Sequence, residues 1–348
     1  MIIETYGYAR AGFLGNPSDG YFGKTISFTV RNFRARVLLY PSARIEIKLS
    51  KADLPVFENL RELYETTRWR GYYGGIRIIQ ALIIRFMDYC REQGLELEDR
   101  NFTIEYDSNI PQRLGLGGSS AIITAALRAL SAYFNVIIPK PVQASLALET
   151  ETEELGVPAG LQDRVIQAYE GLVYMDFAKP IMDRQGYGNY EPLDPGLLPN
   201  VYLAYRTALS EGTEVFHNNV RSRWLAGDPE VVNAMKTWAG YAEQGRAALL
   251  ARDYEKLDSL INANFDLRAK IYRISVGNME MIEIARSVGA TSIFAGSGGS
   301  IVGTFADELM YQKLQKALAA VGVALIRPKI SSRPTAVSSQ PVPLKADS

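Results

Sequence analysis

The chain has 348 residues, of which 47% are hydrophobic and 22% are charged, as is typical of a soluble globular protein long enough for two domains. Basic and acidic residues both number 38, so the formal net charge is zero and we expect no nucleic-acid partner. The single cysteine, Cys90, excludes an intrachain disulfide framework and favours the cytoplasm.

The sequence also limits which metals and which membrane contacts we expect. One cysteine and one histidine, His217, cannot form a His/Cys zinc site, so any metal should have oxygen ligands, which favours Mg²⁺. The opening Met1-Ile2-Ile3-Glu4 lacks the basic segment of a signal peptide. Since there is no run of 18 apolar residues, we expect no membrane partner.

The first half of the chain alternates predicted strands and helices around several turns. Alternating apolar positions predict strands at 2–8, 27–32, 36–39, 43–49, 102–106 and 171–177. Helical spacing of apolar residues predicts helices at 53–64, 74–93, 119–135, 141–155 and 162–167. A loop rich in Gly, Pro, Asn and Asp is predicted at 12–23.

A proline- and glycine-rich stretch at 178–200 predicts the domain boundary. We therefore divide the chain into domains at 1–185 and 186–330, with a Ser/Pro-rich tail at 331–348 that we expect to be disordered. Strands are predicted in the second domain at 201–205, 292–294, 301–305 and 323–327. Helices are predicted there at 211–226, 229–251, 253–274, 278–288 and 307–321.

The most informative stretch is residues 111–121, Pro-Gln-Arg-Leu-Gly-Leu-Gly-Gly-Ser-Ser-Ala. Its glycines allow a tight turn and a close approach to a ligand. The helix that follows presents unpaired N–H groups and a partial positive charge at its first turn. Together these features predict a di- or triphosphate site. The Lys of a Walker A loop is missing, and the spacing is not the Gly-x-Gly-x-x-Gly of a Rossmann fold.

Two further motifs accompany this loop, at 10–23 and at 295–300 (Ala-Gly-Ser-Gly-Gly-Ser). In order and separation the three motifs resemble the GHMP kinase superfamily, which includes galactokinase, homoserine kinase and mevalonate kinase, over about residues 1–330. Four segments are most similar to the plant-type glucuronokinases. These segments are 10–19, 159–164, 221–228 and 296–299.

The resemblance implies an α+β fold of two domains. The N-terminal domain would be of the ribosomal-protein-S5 domain 2 type, the C-terminal domain would hold a ferredoxin-like sheet, and the active site would lie in the cleft between them. It also implies an ATP- and Mg²⁺-dependent kinase that converts D-glucuronate to glucuronate 1-phosphate. Alternatives are a GHMP kinase for another sugar or sugar acid, a non-catalytic sensor, and a decarboxylase of the diphosphomevalonate type.

The resemblance assigns nucleotide-binding residues to the glycine loop. They are Pro111, Gly115, Leu116, Gly117, Gly118, Ser119, Ser120 and Ala121. Ser120 matches the family's Mg²⁺-ligating serine and Ser119 a serine that contacts phosphate, although either could simply cap the helix. Glu151 matches the family's Mg²⁺ glutamate and lies on the apolar side of helix 141–155, where an unpaired glutamate would be costly. Glu153 is the alternative metal ligand.

Two charged residues match the family's catalytic pair. Asp163 corresponds to the aspartate that accepts or orients the proton of the attacking hydroxyl, and Arg10 to the basic residue that faces it. An adjacent cation would keep Asp163 ionised and would stabilise charge on the transferred phosphoryl group. The structural alternatives are a first-turn aspartate of helix 162–167 and a surface arginine at a strand end.

The first and third motifs match the family's acceptor pocket. The predicted substrate residues are Asn16, Ser18, Asp19, Tyr21, Gly296, Ser297 and Gly298. Asp19 would accept hydrogen bonds from sugar hydroxyls, although it could equally belong to an Asx turn. Asn16-Pro17 stands where galactokinases have Glu-His, which argues against galactose.

A uronic acid also needs a cation for its carboxylate. Arg113, Arg164 and Arg206 are candidates, and the sequence leaves all three open. Trp69, Tyr72 and Tyr73 either wall the nucleotide base or belong to a structured surface loop. The oligomeric state is predicted only as monomer or homodimer, and the choice of ATP over another nucleoside triphosphate is left open.

Overall fold

A computed structural model describes residues 1–48, 75–206, 214–331 and 337–340. These residues form two β-sheets with helices packed on them. The α+β class predicted from the sequence is therefore confirmed. The predicted helix at 53–64 and the aromatic residues Trp69, Tyr72 and Tyr73 lie outside the described residues.

The first sheet is built around two long antiparallel strands. Its strands are β1 (Ile2–Leu14), β2 (Lys24–Pro41), β3 (Glu46–Lys48), β4 (Phe102–Ser108), β5 (Leu172–Asp176), β6 (Asn189–Leu193) and β11 (Ser338–Gln340). The main path runs β11-β1-β2-β4-β3, and β5 pairs with both β2 and β6. Only β3 and β4 are parallel among these described strands.

Strand lengths differ from the prediction in this sheet. The segments predicted at 27–32 and 36–39 form one continuous strand, and β1 extends into the region predicted to be a loop from residue 12. The second half of β1 is buried on both faces, so it lacks the alternation that marks a half-exposed strand.

Among the described residues, five α-helices accompany the first sheet. They are α1 (Gly75–Glu92), α2 (Gly118–Phe134), α3 (Lys140–Glu149), α4 (Leu161–Tyr169) and α5 (Lys179–Gln185). Helix α3 continues into a π-helical turn at Thr150–Glu154, a local widening that is common at functional sites. The predicted helix at 141–155 thus exists, with a changed hydrogen-bond register in its last turn.

The second sheet contains β7 (Val201–Arg206), β8 (Ile293–Phe294), β9 (Ser300–Thr304) and β10 (Val323–Ile326). Its order is β10-β7-β9-β8 and every pairing is antiparallel, which is the ferredoxin-like arrangement that was predicted. Its helices are α6 (Glu214–Leu225), α7 (Pro229–Ala251), α8 (Tyr254–Ile271), α9 (Val276–Ser287) and α10 (Glu308–Ala319). Side chains of Asp228, Asp253 and Asp307 cap α7, α8 and α10 by accepting backbone N–H groups.

One apolar core is continuous between the two sheets. Phe13 and Phe28 of the first sheet belong to the same buried cluster as Phe265 and Phe294 of the second half. The domain boundary between residues 185 and 186 stays a prediction, and β6, which follows it, pairs with β5 in the first sheet. In the tail predicted to be disordered, Ser338–Gln340 pair with the start of β1.

Within the described residues, no helix is both long enough and apolar enough to cross a membrane.

Candidate active site

The glycine loop lies where β4 connects to α2. Gly115 and Gly117 have φ values of 62° and 74°, a left-handed conformation that glycine adopts without strain. Gly117 is the N-cap of α2, so the first amides of this helix have no carbonyl partner within it and are oriented towards the loop. Leu116 is buried, and its carbonyl accepts a hydrogen bond from the N–H of Arg10 at 3.1 Å. The loop therefore has the backbone geometry of a phosphate site.

Arg10 connects all three sequence motifs. Its Nε and Nη2 each donate to a carboxylate oxygen of Asp163 at 2.6 Å, in a bidentate pair. Its Nη1 donates to the carbonyl of Gly115 in the glycine loop and to the carbonyl of Ala295, at 2.9 Å, in the third motif. The Arg10 side chain is 6% exposed. The surface-arginine alternative is thereby excluded for Arg10.

Asp163 lies in the first turn of α4 with its side chain 20% exposed. Burial favours the neutral acid, but the guanidinium groups of Arg10 and Arg164 outweigh it and lower the pKa of Asp163 below its usual value. The carboxylate is therefore ionised at neutral pH. Arg10 takes one hydrogen-bonding position on each oxygen, and a carboxylate offers about four.

Glu151 lies in the π-helical turn and is buried, as its position on the apolar side of the helix predicted. It accepts a hydrogen bond from the hydroxyl of Ser119 at 2.6 Å and forms an ion pair with Arg164. The hydroxyl of Ser120, by contrast, donates to the carbonyl of Gly117 at 3.2 Å and is fully buried. The geometry therefore brings Ser119, and not Ser120, to the predicted metal carboxylate. Glu153, the alternative ligand, has no such contact with Ser119 among the described residues.

The residues around Glu151 fit a Mg²⁺ ion that is completed by phosphate oxygens. The Glu151 carboxylate and the Ser119 hydroxyl are hard oxygen donors beside the glycine loop. No group of three acidic, histidine or cysteine side chains within the described residues could hold a metal by itself. That pattern suits Mg²⁺, which is commonly bound by one or two carboxylates together with substrate phosphates.

Asp19 lies against the start of α4, across from Asp163. A Cβ placed on Gly160 would be 2.3 Å from Oδ2 of Asp19, and the N–H of Gln162 donates to the same oxygen at 3.4 Å. Burial, followed by the negative charge of Asp163, raises the pKa of Asp19 to about 6. Asp19 and Asp163 are thus neighbouring carboxylates whose pKa values are shifted in opposite directions.

Comparison with known proteins assigns this arrangement to a family. Residues 81–171 match the model of the GHMP kinases N terminal domain. The chain is 47% identical over 306 residues to Glucuronokinase 1 of Arabidopsis thaliana, covering 86% of this chain and 84% of that protein. It is also 47% identical to Probable glucuronokinase 2 of the same plant, with the same shares of each chain covered.

The chain belongs to the GHMP kinases. It is a glucuronokinase-like sugar kinase, a phosphotransferase with an alcohol group as acceptor. The fold agrees, because the structure of Lactococcus lactis galactokinase superimposes with a TM-score of 0.73 at 16% identity, covering 94% of this chain and 93% of that one.

The third motif of this GHMP kinase closes against the glycine loop. A Cβ on Gly296 would be 2.1 Å from the carbonyl oxygen of Gly115, so only glycine fits there. A Cβ on Gly115 would likewise be 2.8 Å from the backbone nitrogen of Ser297. Gly298 has a φ of 143°, also in the range that favours glycine. Ser300 fixes the turn, since its hydroxyl donates to the carbonyl of Leu114 at 2.6 Å.

The predicted acceptor residues of the first motif divide into two groups. Asn16 and Tyr21 stay close to Asp19 along the chain: the Asn16 amide lies beside Gly12, and the Tyr21 ring packs edge-on against Trp224 at a centroid distance of 5.3 Å. Ser18 is fully buried, and its hydroxyl both donates to the carbonyl and accepts from the N–H of Lys24. Both functions of that hydroxyl are used inside the loop, so the structure does not direct it towards a substrate.

Two of the three arginines predicted for a substrate carboxylate have partners elsewhere. Arg164 pairs with Glu151, while Arg206 pairs with Glu280 at 2.8 Å and bonds the carbonyl of Gly277. Arg113 is exposed on the glycine loop with a φ of 62°. Of these three, the structure therefore singles out none for a uronate.

Sequence reasoning missed one face of α8. Asn264 clamps the first motif by accepting from the N–H of Gly15 at 2.8 Å and donating to the carbonyl of Asn16 at 3.1 Å. Arg268, one turn later, donates to the carbonyl of Gly296 at 3.1 Å. Tyr272 is the C-cap of this helix, and its ring contacts the Arg268 guanidinium. The available signal was polar residues spaced by four on the apolar face of an amphipathic helix.

Proposed function

We propose that this kinase transfers the γ-phosphoryl group of ATP to the anomeric hydroxyl of D-glucuronate, with Mg²⁺, and releases ADP and glucuronate 1-phosphate. One observation carries the reaction type: Arg10 holds Asp163 in a bidentate pair and also bonds the glycine loop and the third motif. The acceptor is inferred from the 47% identity to proteins named glucuronokinases.

In this proposal Asp163 orients the sugar hydroxyl by accepting its hydrogen bond. The lowered pKa makes Asp163 an ionised but weak base, which suits a phosphoryl transfer whose nucleophile needs little deprotonation before attack. As the bond from O1 to the γ-phosphorus forms and the bond to the β,γ-bridging oxygen breaks, the O1 proton passes to the carboxylate. The positive charge of Arg10 would offset the negative charge that develops next to Asp163 during the transfer.

The glycine loop and the π-helical turn would hold the nucleotide. The first amides of α2 would bind phosphate oxygens, as the residues predicted from Pro111 to Ala121 imply. Glu151 and Ser119 would hold Mg²⁺, in place of the predicted pair Glu151 and Ser120. Mg²⁺ would supply charge neutralisation to the phosphates. Arg164 holds the Glu151 carboxylate in position.

Asp19 would recognise the sugar ring. A carboxylate can accept hydrogen bonds from two neighbouring hydroxyls, and Asp19 is held next to Asp163 by the start of α4. Ionised Asp19 is the better acceptor, so sugar binding should require its deprotonated form. Asn16, Tyr21 and the turn at Gly296 would border the same pocket.

The test is an acceptor panel with purified protein, ATP and Mg²⁺. D-glucuronate, D-galacturonate, D-glucose and D-galactose are compared by ADP release, and the product is examined by ³¹P NMR and by acid lability, since an anomeric phosphate couples to H1 and hydrolyses in mild acid. We expect turnover to be highest with glucuronate and the product to be an anomeric phosphate. The Asp163→Asn variant, prepared in parallel, controls for contaminating kinases.

Each other outcome changes a defined part of the proposal. Preferred turnover of a different sugar would replace the acceptor but keep the kinase chemistry. A phosphate at another hydroxyl would refute the anomeric position. No ADP release with any sugar would favour the sensor alternative, which the presence of Asp163, Glu151 and Ser119 argues against.

A further inference from the structure

A uronate brings a second negative charge into a site that already binds a triphosphate. If the proposed function is correct, the carboxylate at C6 needs a cation on the acceptor side of the cleft. Arg10 and Arg164 are committed to Asp163 and Glu151, and Arg206 pairs with Glu280 at a partly exposed position. Arg113, the remaining candidate from the sequence, is exposed on the glycine loop, so a buried cation on the acceptor side would have to be another residue.

Arg268 of α8 is a buried guanidinium at the edge of this pocket. The residue is 2% exposed, and within the described residues its side chain forms one hydrogen bond, from Nη1 to the carbonyl of Gly296. Its Nε is buried and has no hydrogen-bond partner there. No ion pair to a carboxylate is formed by Arg268 within that part of the chain. A buried charge so weakly satisfied is unfavourable unless a ligand completes it.

The surroundings of Arg268 face the acceptor side. The guanidinium lies 5.2 Å from the ring centroid of Tyr272 and 5.1 Å from that of Phe294, which fixes its plane by cation–π contact. Gly296, its carbonyl partner, lies against Arg10 and Gly115 on the opposite side. Burial lowers the pKa of Arg268, and Tyr272 and Asp19 oppose that effect.

We infer that Arg268 receives the C6 carboxylate of the acceptor and so determines the preference of this kinase for a uronic acid. The inference deepens the proposed function and depends on it. The reactive anomeric carbon and C5, which bears the carboxyl group, flank the same ring oxygen, so one sugar ring would reach from Asp163 to a cation beyond Asp19. The two oxygens of a carboxylate can accept two parallel hydrogen bonds from N–H groups along one edge of a guanidinium.

The experiment compares a charged with a neutral acceptor of the same shape. Steady-state kinetics are measured with D-glucuronate and with D-glucuronamide for the wild type, Arg268→Gln and Arg268→Lys. We expect Arg268→Gln to raise KM for glucuronate about 10- to 100-fold, the value of a lost charge-assisted hydrogen bond, with little change in KM for glucuronamide. Arg268→Lys keeps the charge but loses the planar fork, so its KM for glucuronate should lie between those of the wild type and Arg268→Gln.

Arg246→Gln is the matched control, because it removes an arginine that pairs with both carboxylate oxygens of Glu191 at 2.6 and 2.8 Å, outside the three motifs. It should leave both KM values unchanged. If the wild type turns over glucuronate and Arg268→Gln or Arg268→Lys keeps its KM, Arg268 has no such role while the proposed function stands. If the wild type does not turn over glucuronate, the proposed function fails and this inference fails with it.

Folding of Arg268→Gln is checked by thermal denaturation and by binding of a non-hydrolysable ATP analogue. If that variant does not fold, Arg268→Lys decides: an unchanged ratio of the glucuronate KM to the glucuronamide KM overturns the inference, and a raised ratio supports it.

Discussion

Replacing Asp163 by Asn tests the centre of the proposed mechanism with almost no change in shape. The variant loses the negative charge that accepts the O1 proton, so we expect kcat to fall by about 10²- to 10⁴-fold. One amide oxygen can still accept a hydrogen bond from Arg10, but the amide NH₂ then faces a second donor of the same guanidinium. ATP affinity should be unchanged, because the loop amides are untouched.

The same substitution should lower stability by a limited amount. Breaking a fully buried ion pair costs about 3–5 kcal/mol. The Asp163 side chain is 20% exposed and Arg10 keeps the carbonyls of Gly115 and Ala295, so we expect about 1–3 kcal/mol, or a few degrees in Tm. Because the folded state lowers the pKa of Asp163, the stabilisation is present above the unfolded pKa near 3.8 and is lost as pH falls through the folded value. The difference from wild type should therefore shrink at strongly acidic pH.

Asp176→Asn is the matched control for this experiment. Its side chain is 19% exposed and pairs with Lys24 at 3.6 Å, where β5 pairs with β2. Steady-state kinetics and thermal denaturation of both variants separate chemistry from folding. Unchanged kcat in Asp163→Asn, or an equal loss of kcat in Asp176→Asn, would refute the role given to Asp163.

Three further predictions follow from neighbouring residues. Because the pKa of Asp19 is raised to about 6, kcat/KM for the sugar should fall about tenfold between pH 7 and pH 5. The Asp19→Asn variant, although weakly active, should not show this pH dependence. If the variant keeps the same pH dependence, the titrating group is ATP or another residue. Glu151→Gln should raise the Mg²⁺ concentration needed for half-maximal rate, measured by Mg²⁺ titration, and an unchanged requirement would remove Glu151 from the metal site. Gly296→Ala should reduce both kcat/KM and Tm because the new Cβ would collide with backbone atoms. Gly240→Ala is the control: it lies in open space on α7 and should raise stability by up to about 1 kcal/mol. Equal effects of the two substitutions would contradict the close packing at Gly296.

Local patterns predicted the elements that contain the site. The apolar periodicity after Gly118 predicted α2, and the positive φ angles of Gly115 and Gly117 agree with the tight turn expected of the loop. The position of Glu151 on an apolar helix side predicted its burial, which is confirmed. These features depend on residues close together in the chain, so a single sequence contains them.

Contacts between distant segments could not be read in the same way. Whether Ser119 or Ser120 reaches Glu151 depends on the rotation of α2 relative to the π-helical turn, which no local pattern specifies. The extension of β1 to Leu14 depends on helices more than 200 residues later that cover its second face. Arg268 was missed because an arginine on an amphipathic helix ordinarily lies in solvent, and only tertiary packing buries it.

The active site of this kinase exists only where the two sheets share a core. Arg10 of β1 bonds Gly115 from the first half of the chain and Ala295 from the second, and the N–H of Gly12 donates to that same Ala295 carbonyl at 2.7 Å. A shift of either half would remove one acceptor from a guanidinium that is almost fully buried, which is unfavourable in a medium of low polarity. The orientation of Asp163 is thus coupled to the packing of the whole interface, so substitutions in the shared core should alter kcat as well as stability.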